Sequence, residues 1–343
     1  MKKLMKKAQM EHFNWIFVLV AGTIILIFFV TIVQKQRLIS ETKLAASIRT
    51  DIGAILTGAA STPDTINLLT MPRLDIYFTC DEEGYSDFHI EETGVNKETS
   101  FDVIFAPDLV KGPSLITWSK ELKTPFKVMP FLYLTDAQVR YVLISSPNNQ
   151  LAQKIEAELP DEMNKEARTS AAGIINKNNY KVKFIFFGEI DRNAAYSFRT
   201  MPDKDVTAIK ISQNNIEFYK KQGSVFVLEG TAFFPNDEED AFIYGAIFSE
   251  DKTFFECNLK KALKRLAVVS ELFAVREQKV KEAAGSSCAP YYYGKIEELA
   301  SVMRTCSASI SACDFANLDI ITSSIKQNHD QALAYHTECP QIY

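Results

Sequence analysis

The chain has 343 residues and a formal net charge of −5, with its 38 lysines and arginines spread along its length. Nucleic acid needs a basic stripe to offset phosphate charge, so this distribution argues against a nucleic-acid partner. Apolar residues at 47% and charged ones at 24%, with 13 glycines and 12 prolines, leave little material for low-complexity linkers and allow one large domain or two modest ones.

Residues 1–12 carry Lys2, Lys3, Lys6 and Lys7 and read as a basic cytoplasmic tail. Residues 13–34 (FNWIFVLVAGTIILIFFVTIVQ) hold no charge. As a helix this run spans roughly 33 Å, enough to cross a hydrocarbon core of about 30 Å, so it is expected to be a transmembrane anchor with the lipid bilayer as its partner. A buried core helix would keep a polar stripe. A cleaved secretory peptide would have a shorter apolar region ending in small residues, whereas this run ends in Gln34-Lys35-Gln36-Arg37. Residues 35–60 read as an amphipathic helical stalk, with Leu38, Ala45, Ile48, Ile52 and Ile55 at heptad spacing and Glu41 interrupting it. Gly58 and Pro63 then end the helix. Basic residues flank the span on both sides and barely discriminate its orientation. The short tail, and the position of all six cysteines beyond the span, favour an extracytoplasmic body in an oxidising compartment.

Lys6-Lys7-Ala8-Gln9-Met10-Glu11, set directly before the apolar run, resembles archaeal class III signal segments and the wider type IV pilin family. In that family a prepilin peptidase cuts after a small residue, and the resemblance implies a cut between Ala8 and Gln9. Ala8 stands where glycine is usual, and Glu11 is third from the cut rather than fifth. The stretch FNWIFVLVAGTIILIFF also resembles the N-terminus of uncharacterised archaeal membrane-anchored proteins, from which no activity carries over. One helix over residues 10–57 has the shape of a pilin N-terminal helix, which implies protein partners or self-assembly through it.

Residues 61–250 read as a mixed α/β body. Strands are expected at 74–79, 101–106, 139–145, 180–187, 206–212, 224–234 and 241–249, all short runs rich in β-branched and aromatic residues. Helices at 150–159 and 162–175 would form a crossover between the strands at 139 and 180. Short turns at 213–215 and 235–237 suggest antiparallel pairing later. Residues 251–343 read as a helical, cysteine-rich region: a long helix with Leu259, Leu263, Leu266 and Phe273 on one face, a break at 284–287, and helices near 296–303 and 315–335. The fold class is therefore α+β, with a mixed sheet.

The last two helices are expected to form an antiparallel hairpin because the loop between them, 307–312, is short. Cys306 then faces Cys313 at its closed end and Cys288 meets Cys339 at its open end, which leaves Cys80 for Cys257. The standard catalytic and nucleotide-binding motifs are absent from the sequence. Polar groups at strand ends (Asp108, Ser145, Ser146, Glu189 and Asp191) would converge into a ligand site if their strands are parallel, with Ser146 offering backbone N–H groups to an anion. The competing reading makes them caps and turn residues. The acidic run 236–240 reads as a solvated turn rather than a calcium loop. His329, His336 and Cys339 have helical spacing for zinc, but Cys339 is better used in a disulfide, so no metal or cofactor is assigned. The sequence thus points first to a non-enzymatic surface or envelope protein with a structural, adhesion or assembly role, pilin-like at its N-terminus. The rival is a membrane-tethered enzyme or ligand-binding domain with its site at the strand ends.

Overall fold

The computed structural model describes residues 2–59, 62, 64–70, 75–81, 86–90, 95–98, 103–212, 214–283, 288, 291–292, 294–335 and 339–343. Helix α1 (Lys2–Ala59) is unbroken over 58 residues, about 87 Å at ~1.5 Å per residue. It takes in the expected tail, span and stalk as one element, and the first proline of the chain comes only at position 63. Its segment Val18–Arg37 is long and apolar enough to cross a membrane, and none of it is buried against protein. Thr23 and Thr31 turn their hydroxyls back onto the carbonyls of Leu19 (2.8 Å) and Ile27 (2.7 Å), so neither donor is left unpaired. The side chains of Ala8, Gln9, Leu38, Ala45, Ile48, Ile52 and Ile55 lie outside the described residues.

The body opens with strands β1 (Ile66–Thr70), β2 (Ile76–Cys80), β3 (Ser86–Ile90), β4 (Val95–Glu98), β5 (Val103–Phe105) and β6 (Leu109–Val110). A long hairpin, β7 (Ser114–Lys123) and β8 (Lys127–Thr135), leads into β9 (Val139–Ile144), helix α2 (Gln150–Glu158) and β10 (Asn164–Arg168). Then come β11 (Lys181–Phe186), β12 (Val206–Ile211), β13 (Asn215–Gln222), β14 (Val225–Phe233) and helix α3 (Ala241–Phe248). Among the described residues these strands make three sheets, ordered β1-β7-β8-β5, β4-β3-β2-β6 and β10-β9-β11-β12-β13-β14. In the largest sheet β10, β9, β11 and β12 are parallel, while β13 and β14 pair antiparallel. This is the mixed sheet expected of the chain, with α2 in the crossover.

Two expected elements are corrected. Where a strand was expected over 241–249, residues 241–248 form helix α3, so the turn at 235–237 leads into a helix. All eight residues of α3 are buried, so the run has no polar period to distinguish the two structures. The ends decide it. The Asp237 carboxylate accepts from the backbone N–H groups of Ala241 (2.8 Å), Glu239 (3.0 Å) and Phe242 (3.4 Å) at the start of the helix. At the other end the Lys183 ammonium donates to the carbonyls of Ala246 (2.8 Å) and Ser249. Residues 162–175 likewise contain strand β10 rather than a helix. Their residues are fair helix formers, but the edge of β9 offers them a hydrogen-bond ladder, and Arg140 on β9 anchors Glu166 at 2.7 Å. Strands β7 and β8 have no counterpart among the expected strands, because Lys120, Glu121, Lys123 and Pro130 hide their apolar pattern.

Helices α4 (Lys252–Ala283), α5 (Lys295–Ala308) and α6 (Phe315–Tyr335) complete the chain. Leu259, Leu263 and Leu266 are buried as their spacing predicts, and the expected break at 284–287 lies outside the described residues. Disulfides join Cys306 to Cys313, Cys288 to Cys339 and Cys80 to Cys257, with Cα–Cα distances of 4.5, 5.6 and 6.0 Å. These are the pairs the hairpin argument names: two staple the α5–α6 hairpin, and the third ties β2 to α4.

The main core runs from β7 and β8 through α3 to α4, α5 and α6. In it Trp118 meets Tyr244 at 4.7 Å, and the Tyr133 hydroxyl donates to Ala241 O at 2.8 Å. The Phe105 ring lies against Gly245, where an added Cβ would come within 2.8 Å of it. Gly245→Ala should therefore lower unfolding stability by about 1–3 kcal/mol through overpacking. Gly188→Ala, with nothing within 4 Å of its new Cβ, should change it by less than about 0.5 kcal/mol. Thermal and denaturant unfolding of the two variants checks this difference.

Candidate functional site

The parallel part of the largest sheet has the geometry that makes strand ends worth inspecting. From β9 the chain moves to β10 on one side and then crosses to β11 on the other, so the order reverses between β9 and β11. Ser145 and Ser146 follow β9, Glu189 and Asp191 follow β11, and the two strands are parallel, so all four residues share this edge. Asp108 does not join them. It follows β5, which pairs with β8 in another sheet, and its carboxylate accepts from Lys181, the first residue of β11. Asp108 therefore sits at the opposite end of β11, roughly 17 Å away at ~3.3 Å per residue. Of the five residues expected to converge, four follow neighbouring parallel strands and Asp108 lies apart.

Hydrogen bonds link the loops that carry these four residues. Asn149, not Ser146, caps α2: its Oδ1 accepts from Ala152 N at 3.0 Å, and its Nδ2 donates across the switch point to Phe187 O at 2.9 Å. The Phe187 N–H in turn donates to Ile144 O, and the Ser145 N–H to Arg168 O. Ser146 supplies its carbonyl to the Asn149 N–H at 3.1 Å. Asp191 caps the following 3-10 helix (Arg192–Phe198) by accepting from Asn193 N at 3.0 Å. Asn149 directly before Gln150 is itself a cap signal, readable from the sequence.

The chemistry that sequence reasoning missed lies at the other end of β11. Lys181, 4% exposed, is bracketed by Asp108 and by Glu250, whose Oε2 is 2.5 Å from the ammonium. Burial alone would depress the Lys181 pKa, but Glu250 and Asp108 outweigh it and hold the group charged. The Asp108 N–H also donates to Glu250 Oε2 at 3.4 Å. Next to this pair the Tyr180 hydroxyl donates to Asp136, which also accepts from the N–H groups of Lys111, Gln138 and Val139. Lys183, two residues along the same face, is fully buried. Burial pushes its pKa down to about 7, against the opposing pull of Glu250. All six residues of KVKFIF are buried, the two lysines included. This cluster binds three pieces of the fold: the first sheet through Asp108, the largest sheet through Lys181, and the α3–α4 junction through Glu250.

Among the described residues no group of three or more His, Cys, Asp and Glu side chains is placed to hold a metal ion, and His336 lies outside them. No protein-family model, no curated protein and no solved structure matches this chain.

The Lys183 environment has a measurable consequence. Its pKa is 10.5 in the unfolded chain and about 7 in the fold. Between those values the unfolded state binds the extra proton, so the Lys183 contribution to stability grows as pH rises from 7 towards 10.5 and is lost as pH falls through 7. Lys183→Met keeps the apolar volume and removes the titration. The difference in unfolding free energy between wild type and variant should therefore slope with pH across 7–10 in favour of the wild type. Equilibrium unfolding at several pH values measures that slope, and a flat difference would show that Lys183 stays charged in the fold.

Proposed function

We propose that this protein is a membrane-anchored extracytoplasmic surface or envelope component with a structural, adhesion or assembly role, and that α1 serves it as a pilin-like helix. The observation that carries this reading is the helix itself. Helix α1 continues without a break from Lys2 to Ala59, and its apolar segment Val18–Arg37 makes no buried contact with the rest of the chain. Twenty such residues exposed to water would be strongly unfavourable, whereas lipid or neighbouring helices would cover them at no such cost. Trp15, also exposed, lies just before the segment, at the level where an amphipathic ring favours the headgroup region. The three disulfides in the body support an oxidising compartment.

The pilin-like part of the reading rests on Ala8-Gln9 and on the continuity of the helix past it. Cutting there would leave a helix of roughly 50 residues with its apolar segment near the new N-terminus, a shape suited to packing beside copies of itself. Two measurements on membrane-extracted protein test the proposal. N-terminal peptide analysis should find Gln9 as the first residue; retention of Lys2 to Lys7 would remove the pilin-like role and leave a tethered body. Protease added to intact cells should digest residues beyond 37, and full protection of the body alongside digested surface controls would overturn the extracytoplasmic assignment.

A further inference from the structure

A cleft of about 510 Å³ opens between the β7–β8 turn, α4, α6 and residues near 343. That volume is within the usual range for small-molecule sites. One wall is aromatic: Phe126 packs on Phe273 at 4.5 Å and on Tyr343 at 5.5 Å, and the His329 ring stacks on Tyr343 at 4.2 Å and 18° from parallel. The charged residues lining the cleft are Lys123, Lys127, Arg276 and Lys326 against Glu238 and Asp330, four positive and two negative, an excess of two positive charges. The protein as a whole carries −5.

The state of these side chains decides what the cleft can take. Lys127 is held by Glu121 at 2.8 Å, Lys326 by Glu238, and Lys123 lies 3.9 Å from Glu239. Arg276 has no carboxylate partner among the described residues. One of its N–H groups donates to Gln341 O at 3.1 Å, and the rest of the guanidinium fork is unused. Partial burial lowers the His329 pKa, so near neutral pH the ring offers one donor and one acceptor, and neither is engaged within the described residues. Asp330, exposed, makes no hydrogen bond or close ion pair among the described residues, although its charge acts on Lys326 and His329.

We propose that this cleft binds an acidic sugar, with its ring on the Tyr343–His329 wall, its carboxylate on Arg276 and its hydroxyls on His329 and Asp330. The guanidinium fork matches a carboxylate in a bidentate pair. The polarised C–H edges of a pyranose suit the negative face of an aromatic ring. A flat aromatic acid would satisfy Arg276 and the wall, but it would cover the half-buried His329 ring nitrogens without replacing their hydrogen bonds. A dianionic phosphate has no hydroxyl to donate to Asp330 and no ring for the Tyr343–His329 wall. Sugar hydroxyls resolve both objections, since they donate as well as accept. The proposal rests on the adhesive form of the surface role, because an acidic glycan is a ligand met outside the cell.

The test is calorimetric titration of the full chain in detergent with digalacturonic acid, cellobiose and benzoate. Digalacturonic acid should bind saturably, and cellobiose and benzoate at least tenfold more weakly, the loss expected when a charge-assisted bidentate pair or the hydroxyl contacts go unmade. Arg276→Gln and Tyr343→Ala should each weaken digalacturonic acid about tenfold. Arg199→Gln, an exposed site over Tyr196 and no part of the cleft, should leave it unchanged. Equal binding of cellobiose, preference for benzoate, no saturable binding by any probe, or wild-type affinity in folded Arg276→Gln would each overturn the proposal. These affinities are read on purified protein and stand or fall separately from the protease result that tests the surface role.

Discussion

The body is organised around a short helix with no polar face. Helix α3 is buried along all eight residues, so every contact it makes is with protein. A helix that short leaves about half of its backbone groups without intrahelical partners, and burial would make each one costly. The fold meets this with an acid at one end and a lysine at the other, both matched in sign to the helix dipole. Asp237 is so thoroughly buried that its pKa is pushed up to about 7, although three backbone N–H groups pull it the other way. Lys183 is driven in the opposite sense by the same cause. Sheet packing, the close approach of Phe105 to Gly245, and the route of the chain from the largest sheet into α4 all follow from where this helix lies.

The same device recurs on a wider scale. Arg140 on β9 reaches Ile175 O at 2.6 Å as well as Glu166, and so fixes the loop after β10. Lys221 on β13 holds Met201 O at 2.8 Å together with Asp203. Lys120 on β7 lies between Glu158 at 2.7 Å and the rings of Tyr244 and Trp118, at 5.4 and 5.7 Å. Each is a long cation on a strand, with its stem in apolar surroundings and its head tying down a loop or a helix end. Buried ion pairs of this kind contribute little net stability against an apolar alternative, because desolvation offsets attraction. Their effect here is positional: a loop that satisfies a buried ammonium has few alternative places to go.

The disulfides tie down the small sheet and the C-terminal hairpin. The small sheet holding β2 and β3 shares a modest core with β5, β7, β8 and Phe254 of α4, and Cys80–Cys257 joins it covalently to α4. At the other end of the chain, Cys288–Cys339 and Cys306–Cys313 close the α5–α6 hairpin at both ends. That hairpin presents His329 beside the C-terminal Tyr343, so the aromatic wall of the cleft depends on it.

Several features were legible in the sequence because they are local. An uncharged run of more than twenty residues can only be a helix fit for a membrane or a deep core, whatever surrounds it. The helices after residue 251 showed themselves by the spacing of Leu259, Leu263 and Leu266. Helix ends and short loops then fixed which cysteines could meet. What the tertiary structure alone decided is everything that depends on strand partners. Residues 241–248 and 164–168 have no period that separates helix from strand, and distant groups (Lys183 for one, the free edge of β9 for the other) chose between them. Asp108 left the expected cluster because β5 pairs with β8 instead of joining the parallel strands. The cleft is assembled from residues near 125, 275, 328 and 343 that share no pattern along the chain. Sequence periodicity records which side of an element is apolar, but it carries no information about which element lies opposite, and that choice is made by long-range burial and hydrogen bonding.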